Sequence, residues 1–282
     1  MKETFGGTGE ASRQDHEQAV DRLLDVARGR RLMVAFTGAG ISTDSGIPDY
    51  RGPGGVWETG KPPTLGDFLE NPATRRAYWE NRRESYPDLA AKTPNSGHLA
   101  LAAMERAGVL QAVITQNIDG LHQKAGNDPA RVIELHGSAH RVRCLACGRI
   151  FDAWSIWRRQ RSGEIEPSCE VCGGALRSAT VLFGEPLPKA ALDVALRAAQ
   201  ACDLMLVVGS SLVVNPAARL PVIAKRQGAA LAIINRTATP LDALADAHVS
   251  GDAGPVLSDL AAAVAATISA DRGREGRAAD PG

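Results

Sequence analysis

Cys144-x2-Cys147 and Cys169-x2-Cys172 stand 21 residues apart, a spacing that lets two tight turns deliver four thiolates to one tetrahedral ion. Four sulfur ligands fill the coordination sphere of zinc and leave no open position for water, so the pattern implies a structural zinc. Gly148 follows the first pair and Gly173-Gly174 the second, which suits turns whose backbone N–H groups point at sulfur. Two disulfides are one competing reading, disfavoured because the polar N-terminal stretch has no secretory character. Redox chemistry at one pair is another, and it leaves the second pair unexplained. Cys202 lies alone at the end of an apolar helical pattern and reads as a core residue.

A second cluster runs from Gly38 to Gly46, GAGISTDSG, directly after an apolar run. In a doubly wound sheet such a turn lets the backbone approach a pyrophosphate and aims helix N-terminal N–H groups at it. The third glycine arrives only at Gly46, and no acidic residue stands at the end of a second strand to hold a ribose. From the residues alone, a modified dinucleotide site and an ordinary glycine turn both remain open. Among the six histidines, His136 follows a strand-like run and precedes a glycine, where an open α/β sheet presents functional groups. An imidazole with an ordinary pKa of about 6.5 can accept a proton near neutrality. His98 and His122 fall in helical patterns beside apolar residues, His140 approaches the cysteines, and His16 and His248 lie near the two ends. Asn117 and Asp119 follow another strand-like run, where they either serve a ligand or close an Asx turn.

Such groups need a scaffold that brings residues 38–46, 116–119 and 136 to one edge. Apolar runs at 32–37, 112–115, 132–135, 181–183, 204–208 and 231–234 read as strands buried on both faces. Helical patterns at 15–28, 99–107, 189–201 and 217–227 lie between several of them. In the last, Asn215 suits the N-cap, Pro216 the first helical position and Gly228 the stop. The alternation predicts an α/β fold, a Rossmann-like parallel sheet covered on both faces. Two segments interrupt it: 52–95, with a helical patch at 72–86, and 141–177, which carries the cysteine pairs. We expect residues 15–51, 96–140 and 178–269 to form the Rossmann-like part. Residues 52–95 and 141–177 would form a smaller lobe of helical insertion plus zinc ribbon, with 1–14 and 270–282 disordered. Lys plus Arg and Asp plus Glu are each 32, so no global field favours nucleic acid or an anionic membrane. No contiguous apolar run approaches the roughly 20 residues of a membrane helix. The expectation is a cytoplasmic protein without membrane or direct nucleic-acid partners.

The run GAGISTDSGIPDYR from Gly38 to Arg51 resembles the signature of the sirtuins, NAD-dependent protein lysine deacylases whose usual form ends in Asp-Phe-Arg. The likeness is to bacterial members, with the class II branch in view. It continues through Thr115-Gln116-Asn117-Ile118-Asp119, Leu135-His136-Gly137, the four cysteines, Phe183-Gly184-Glu185, Gly209-Ser210-Ser211-Leu212 and Asn235, in the family's order over residues 32–257. The resemblance implies transfer of an acyl group from lysine to ADP-ribose with release of nicotinamide. NAD is then the co-substrate, an acyl-lysine protein the partner, and one structural zinc sits on Cys144, Cys147, Cys169 and Cys172. It implies His136 as general base, with Asn117 orienting ribose or water. For NAD it implies Gly38, Ala39 and Gly40 in the turn, Ser42 and Arg51 at the phosphates, and Asp49, Tyr50 and Asp119 around the nicotinamide. Gln116 and Ile118 fall by the ribose, and Gly209, Ser210, Ser211, Asn235 and Asp252 along the adenosine half. Val181, Phe183, Gly184 and Glu185 match the substrate-binding positions.

Three departures from the family pattern stand out. Tyr50 replaces a phenylalanine, and Ser178-Ala179 replace a common Pro-Asp. The Tyr-x-x-Arg of the desuccinylating branch reads Trp79-Glu80-Asn81-Arg82, so Arg82 either meets an acidic acyl chain or pairs with Glu80 or Glu84 on a solvated helix. The rival readings are protein mono-ADP-ribosyl transfer, a dehydrogenase, and a zinc-ribbon interaction module using Arg158, Arg159 and Arg161.

Overall fold

Strand β1 (Met33–Thr37) is buried at every position, which only a sheet covered on both faces allows. In the computed structural model, which describes residues 7–49 and 64–278, it lies at the centre of a six-stranded parallel sheet. On one side run β2 (Leu110–Thr115) and β3 (Val132–Glu134). On the other run β7 (Leu204–Val208), β8 (Ala230–Asn235) and β9 (Ala247–Ser250). Period-two alternation splits the core between the faces. Met33 and Ala35 join helices α1 (Gly7–Ala27), α4 (Ser96–Arg106) and α9 (Ala253–Ala278) through Leu23, Leu101 and Leu257. Val34 and Phe36 face α7 (Lys189–Ala201) and α8 (Arg219–Arg226) through Ala195 and Leu220.

A three-stranded antiparallel sheet carries the cysteines, in the order β5 (Ile150–Asp152), β4 (Gly137–Cys144), β6 (Leu176–Thr180). Helix α3 (Pro72–Ala91) packs on it with α6 (Ala153–Arg161), burying Trp79, Tyr86 and Ile156 against Val142 and Leu176. Asn71 starts α3 by accepting from the Ala73 and Thr74 N–H groups, with Pro72 at the first position. A short helix, α2 (Leu65–Glu70), precedes it behind a Thr64–Asp67 capping box, and α5 (Leu121–Ala125) follows β2. Strand β4 begins directly after His136, so one strand links the parallel sheet to the cysteines.

Several expectations change. Residues 181–183 are loop, and the strand is Leu176–Thr180, because pairing with β4 ends at Gly137 opposite Thr180. Helix α8 starts at Arg219, with Ala218 as its cap and Val214–Ala218 closing a turn, so Asn215 and Pro216 lie before the helix. Helices α1 and α9 include residues 7–14 and 270–278. Tyr50, Arg51 and the remaining terminal residues lie outside the described ones. Residues 253–270 of α9 are long and apolar enough to cross a membrane, with mean hydropathy 1.4, which a search for contiguous bulky runs misses because alanine dilutes the pattern. Its bulky residues Val256, Leu257, Leu260 and Val264 are buried in the core against α1 and α4.

The loops after β1 and β7 meet at backbone contact. Gly40 N–H donates to Gly209 O at 2.9 Å, and a Cβ on Gly209 would lie 2.3 Å from the Ile41 nitrogen. Gly209 also has φ +60. Gly209→Ala is therefore expected to destabilise the fold by on the order of 3 kcal/mol or more. Gly228→Ala, at φ +93 with open space around it, should cost only about 1 kcal/mol. Comparing urea midpoints of the two variants checks this.

Candidate active site and metal centre

The chain turns from β1 into β2 and β3 on one side and from β7 into β8 on the other, so a crevice opens at their carboxyl ends. From β3 to β8 it spans four strand spacings, about 19 Å, room for two nucleoside units joined by a pyrophosphate. The 3-10 helix Ala39–Ser45 follows β1, and Gly46 at φ +75 stops it. Gln116 bridges the crevice floor: its N–H donates to Thr37 O at 3.0 Å and its Nε2 to Ser210 Oγ at 2.9 Å.

His136 follows β3 and is half-buried. Its Nδ1 lies 2.8 Å from Gln116 O, a carbonyl that can only accept, so Nδ1 carries the proton and Nε2 keeps its lone pair. Burial pushes its pKa down, opposed by that same hydrogen bond. The next residue must be glycine: Gly137 has φ +76, and a Cβ there would sit 2.0 Å from Ala179 O.

Asn117 uses both amide N–H groups inside the protein, to Gly38 O and Ser42 Oγ at 3.1 Å each, which leaves Oδ1 for a ligand. Ser42, expected at a phosphate, is fully buried and donates to Asp119 Oδ2 at 2.8 Å. Asp119 Oδ1 accepts the Leu121 N–H at 2.9 Å. The Asp119 carboxylate is thus locked between a side chain of the first turn and the start of α5. Asn235, buried at the end of β8, donates to Thr237 O at 2.7 Å. Asp252 is exposed and paired at 2.6 Å with Arg236, which also reaches Asp44 at 3.1 Å. Ala39, Asp49, Ile118 and Ser211 are half-buried around the same loops. Phe183 and Gly184 are exposed, whereas Glu185 is engaged by Arg177 at 2.8 Å.

Beneath these groups lies a polar layer that sequence reasoning set aside. His98 and His122 are 0% and 1% exposed, with ring centroids 5.0 Å apart. The Thr37 hydroxyl donates to Thr115 Oγ1 at 2.9 Å, so Thr37 Oγ1 accepts from His122 Nε2 at 2.9 Å. Thr115 Oγ1 in turn accepts the Asn117 N–H at 3.0 Å. His98 Nδ1 lies 3.1 Å from Asn95 Oδ1 and its Nε2 3.4 Å from Ser42 Oγ, two acceptors of which the neutral ring donates to one. Burial pushes His98 down to about 4 against the pull of Asp119, and His122 down to about 3, with His98 adding to the effect. The available signals were a threonine ending each of two adjacent strands, and Asn95 three residues before His98.

The four cysteine Sγ atoms lie within 4.8 Å of one another, with Cys144 to Cys172 at 3.5 Å and Cys147 to Cys169 at 3.8 Å. Tetrahedral zinc with Zn–S of about 2.3 Å needs sulfur pairs about 3.8 Å apart, so the donor set fits that ion. All four ligands are thiols, and the Cys147 N–H points at Cys144 Sγ at 3.4 Å. The buried cluster around them is small and includes two of the cysteines, so a bound metal contributes to its folding. Arg159, one of three arginines considered for nucleic acid, is committed to Glu164 at 2.6 Å and Glu170 at 3.3 Å.

A family model described as the Sir2 family matches residues 38–216. The NAD-dependent protein deacetylase of Thermodesulfovibrio yellowstonii is 41% identical, over 87% of this chain and 95% of that protein. NAD-dependent protein deacylase 2 of Archaeoglobus fulgidus is 44% identical, over 86% of this chain and 95% of its own length. A solved structure of Sir2 with a p53 peptide and NAD+ matches with a TM-score of 0.76 at 37% identity, covering 86% of this chain and 96% of that one.

The buried histidines predict a pH dependence. Their folded pKa values, about 4 and about 3, lie below the unfolded value of about 6.5, so the unfolded chain binds more protons in acid. Their contribution to stability is complete above about pH 6.5 and is lost as pH falls, by about 1.4 kcal/mol per pH unit for each histidine. Urea unfolding between about pH 7 and pH 5 should show this slope, and His122→Gln should remove one of the two contributions.

Proposed function

We propose, for a chain that belongs to the Sir2 family and is an NAD-dependent protein lysine deacylase, that His136 is its general base. The observation that carries this reading is the His136 Nδ1 to Gln116 O contact of 2.8 Å. It fixes the tautomer, so Nε2 is the basic nitrogen at the crevice. A depressed pKa keeps that nitrogen unprotonated at neutral pH.

NAD, when bound, supplies the ribose C1′ centre that takes the acyl oxygen as nicotinamide leaves. The chain's residues then divide the work. The close-set glycines at 38, 40 and 209 let backbone approach the pyrophosphate, and Ser210 and Asn235 face the adenosine half. The Asn117 Oδ1 offers one acceptor near the reacting ribose, held rigidly because its amide hydrogens are spent. Asp119, locked by Ser42 and Leu121, presents a fixed negative charge for the nicotinamide end. His136 Nε2 takes the proton from a ribose hydroxyl, which activates that oxygen toward the acyl carbon. An acyl-lysine protein is the partner. Residues 64–95 and 141–177 form the zinc-bearing smaller lobe of this proposal, with 52–63 of the expected insertion outside the described residues, and four thiols kept reduced for metal support a cytoplasmic setting. Protein mono-ADP-ribosyl transfer would use the same crevice, and no residue favours it.

Arg82 bears on the acyl group. It is half-buried: its Nη2 donates to Ala139 O at 2.6 Å and its guanidinium lies 4.7 Å from the Tyr86 ring centroid. Trp79, at the position of the expected tyrosine, is 1% exposed inside the small cluster. A buried carboxylate needs a partner; with Trp79 buried in the cluster and Arg82 turned onto Ala139 O and the Tyr86 ring, the arrangement supports a preference for neutral acyl groups.

Two outcomes follow. His136→Ala should bind NAD yet turn over about two to four orders of magnitude more slowly, and the acid limb of the wild-type pH profile, set below about 6.5 by the depressed imidazole, should vanish with it. Rates of nicotinamide release and NAD calorimetry decide this. On one peptide sequence, acetyl and longer neutral acyl groups should give higher kcat/KM than succinyl, with Arg82→Met leaving the ranking intact; a succinyl preference abolished by Arg82→Met would reverse the assignment.

A further inference from the structure

Strand β6 carries a buried cation. Arg177 is 3% exposed, and its Nη2 donates to both carboxylate oxygens of Glu185, at 3.0 and 2.8 Å. Its Nε and Nη1 have no partner among the described residues. Its cross-strand neighbour on β4 is Arg143, a like charge that is itself exposed. Glu185 is therefore the group that neutralises the buried guanidinium. Removing one member of such a pair strands the other in low dielectric, so each holds its partner in place.

Glu185 also shapes the loop that contains it. Its Oε2 accepts the Leu182 N–H at 3.1 Å, and its own N–H donates to Leu182 O at 3.1 Å. Gly184, at φ +80, turns the chain between them. At the other end, the Val181 N–H donates to His136 O at 3.0 Å, and across the loop the Leu65 N–H donates to Phe183 O at 3.3 Å. Residues 181–185 are thus pinned at one end to the peptide of the general base and at the other to a buried arginine.

We propose that Arg177 is a positioning residue for the protein substrate. Through Glu185 it holds loop 181–185 in the shape against which an extended acyl-lysine segment lies. The inference rests on the deacylase reading and deepens it. Extended peptides bind an edge through main-chain hydrogen bonds, which weaken steeply when donor and acceptor shift or tilt. A loop whose turn is set by one buried ion pair transmits a change at Arg177 to those bonds, while the glycine seam between the loops after β1 and β7 and the end of β8 have no contact with Arg177 or Glu185 among the described hydrogen bonds.

The test compares Arg177→Met, Glu185→Gln and the double variant Arg177→Met/Glu185→Leu, reading KM for an acetyl-lysine peptide, NAD affinity by calorimetry, and melting temperature. Arg177→Met should raise peptide KM about tenfold or more while NAD affinity stays within about twofold. The double variant has no buried charge left to destabilise it; it should melt closer to wild type than Arg177→Met and keep the raised peptide KM. Glu185→Gln, which retains an acceptor for Leu182 and Arg177, should fall between. Wild-type peptide KM in a folded double variant overturns the proposal, as does a double variant in which NAD binding weakens as much as peptide binding. Failure of the deacylase reading shows separately, as wild-type enzyme that releases no nicotinamide with any acyl-lysine peptide.

Discussion

The backbone contact between the Gly38–Gly40 turn and Gly209 is the constraint on which the crevice depends. It brings the loops after two adjacent central strands to within a hydrogen bond of each other, at 2.9 Å. No side chain fits between them, since a Cβ on Gly38 or Gly40 would meet Gly209 O or Gly209 Cα at 2.7 Å. With that seam closed, Gln116 reaches Ser210 from the far side of β1, and Asn117 reaches Gly38 O and Ser42. These crevice groups are therefore held by strands of one sheet, the most rigid arrangement the fold offers.

Beneath the seam the protein keeps a layer of polar groups where an apolar core would be simpler. Thr37, Thr115, Ser42, His98 and His122 are all buried. The hydroxyl of Thr37 donates to Thr115 and accepts from His122, and Ser42 donates to Asp119, so these bonds fix orientations within the layer. The cost is acid sensitivity, because two imidazoles must stay neutral for the layer to persist. The gain is that Asn117 and Asp119 each face the crevice with a single defined orientation.

The cysteine-bearing sheet has a different balance. Its buried cluster is small, and the donor set for zinc sits within it. Strand β4 leaves His136 and ends at Cys144, while β6 returns through Arg177 to the loop beside His136. The same strand pair thus runs from the cysteine cluster to the segment that holds His136 and the 181–185 loop.

What the sequence determined by itself was local chemistry at fixed spacing: the paired cysteines, the glycine turn, His136 before a glycine, and the alternation that makes a parallel sheet. In each case the physics acts over a few residues, so the letters suffice. What only the tertiary structure decided depends on partners far along the chain. Ser42 reads as a phosphate contact, and packing adds a partner 77 residues on, Asp119, for its hydroxyl. His98 and His122 read as core residues until the sheet places Thr37 and Ser42 against them. Arg82 reads either as a partner for an acidic acyl chain or as a solvated charge, and the fold turns it onto Ala139 O, 57 residues on. Residues 181–183 have a strand's composition, yet β6 finishes its pairing at Thr180 and Arg177 claims Glu185 beyond them. Burial and pairing are properties of the packed chain, and a polar group's role is settled by whichever partner packing brings within about 3 Å.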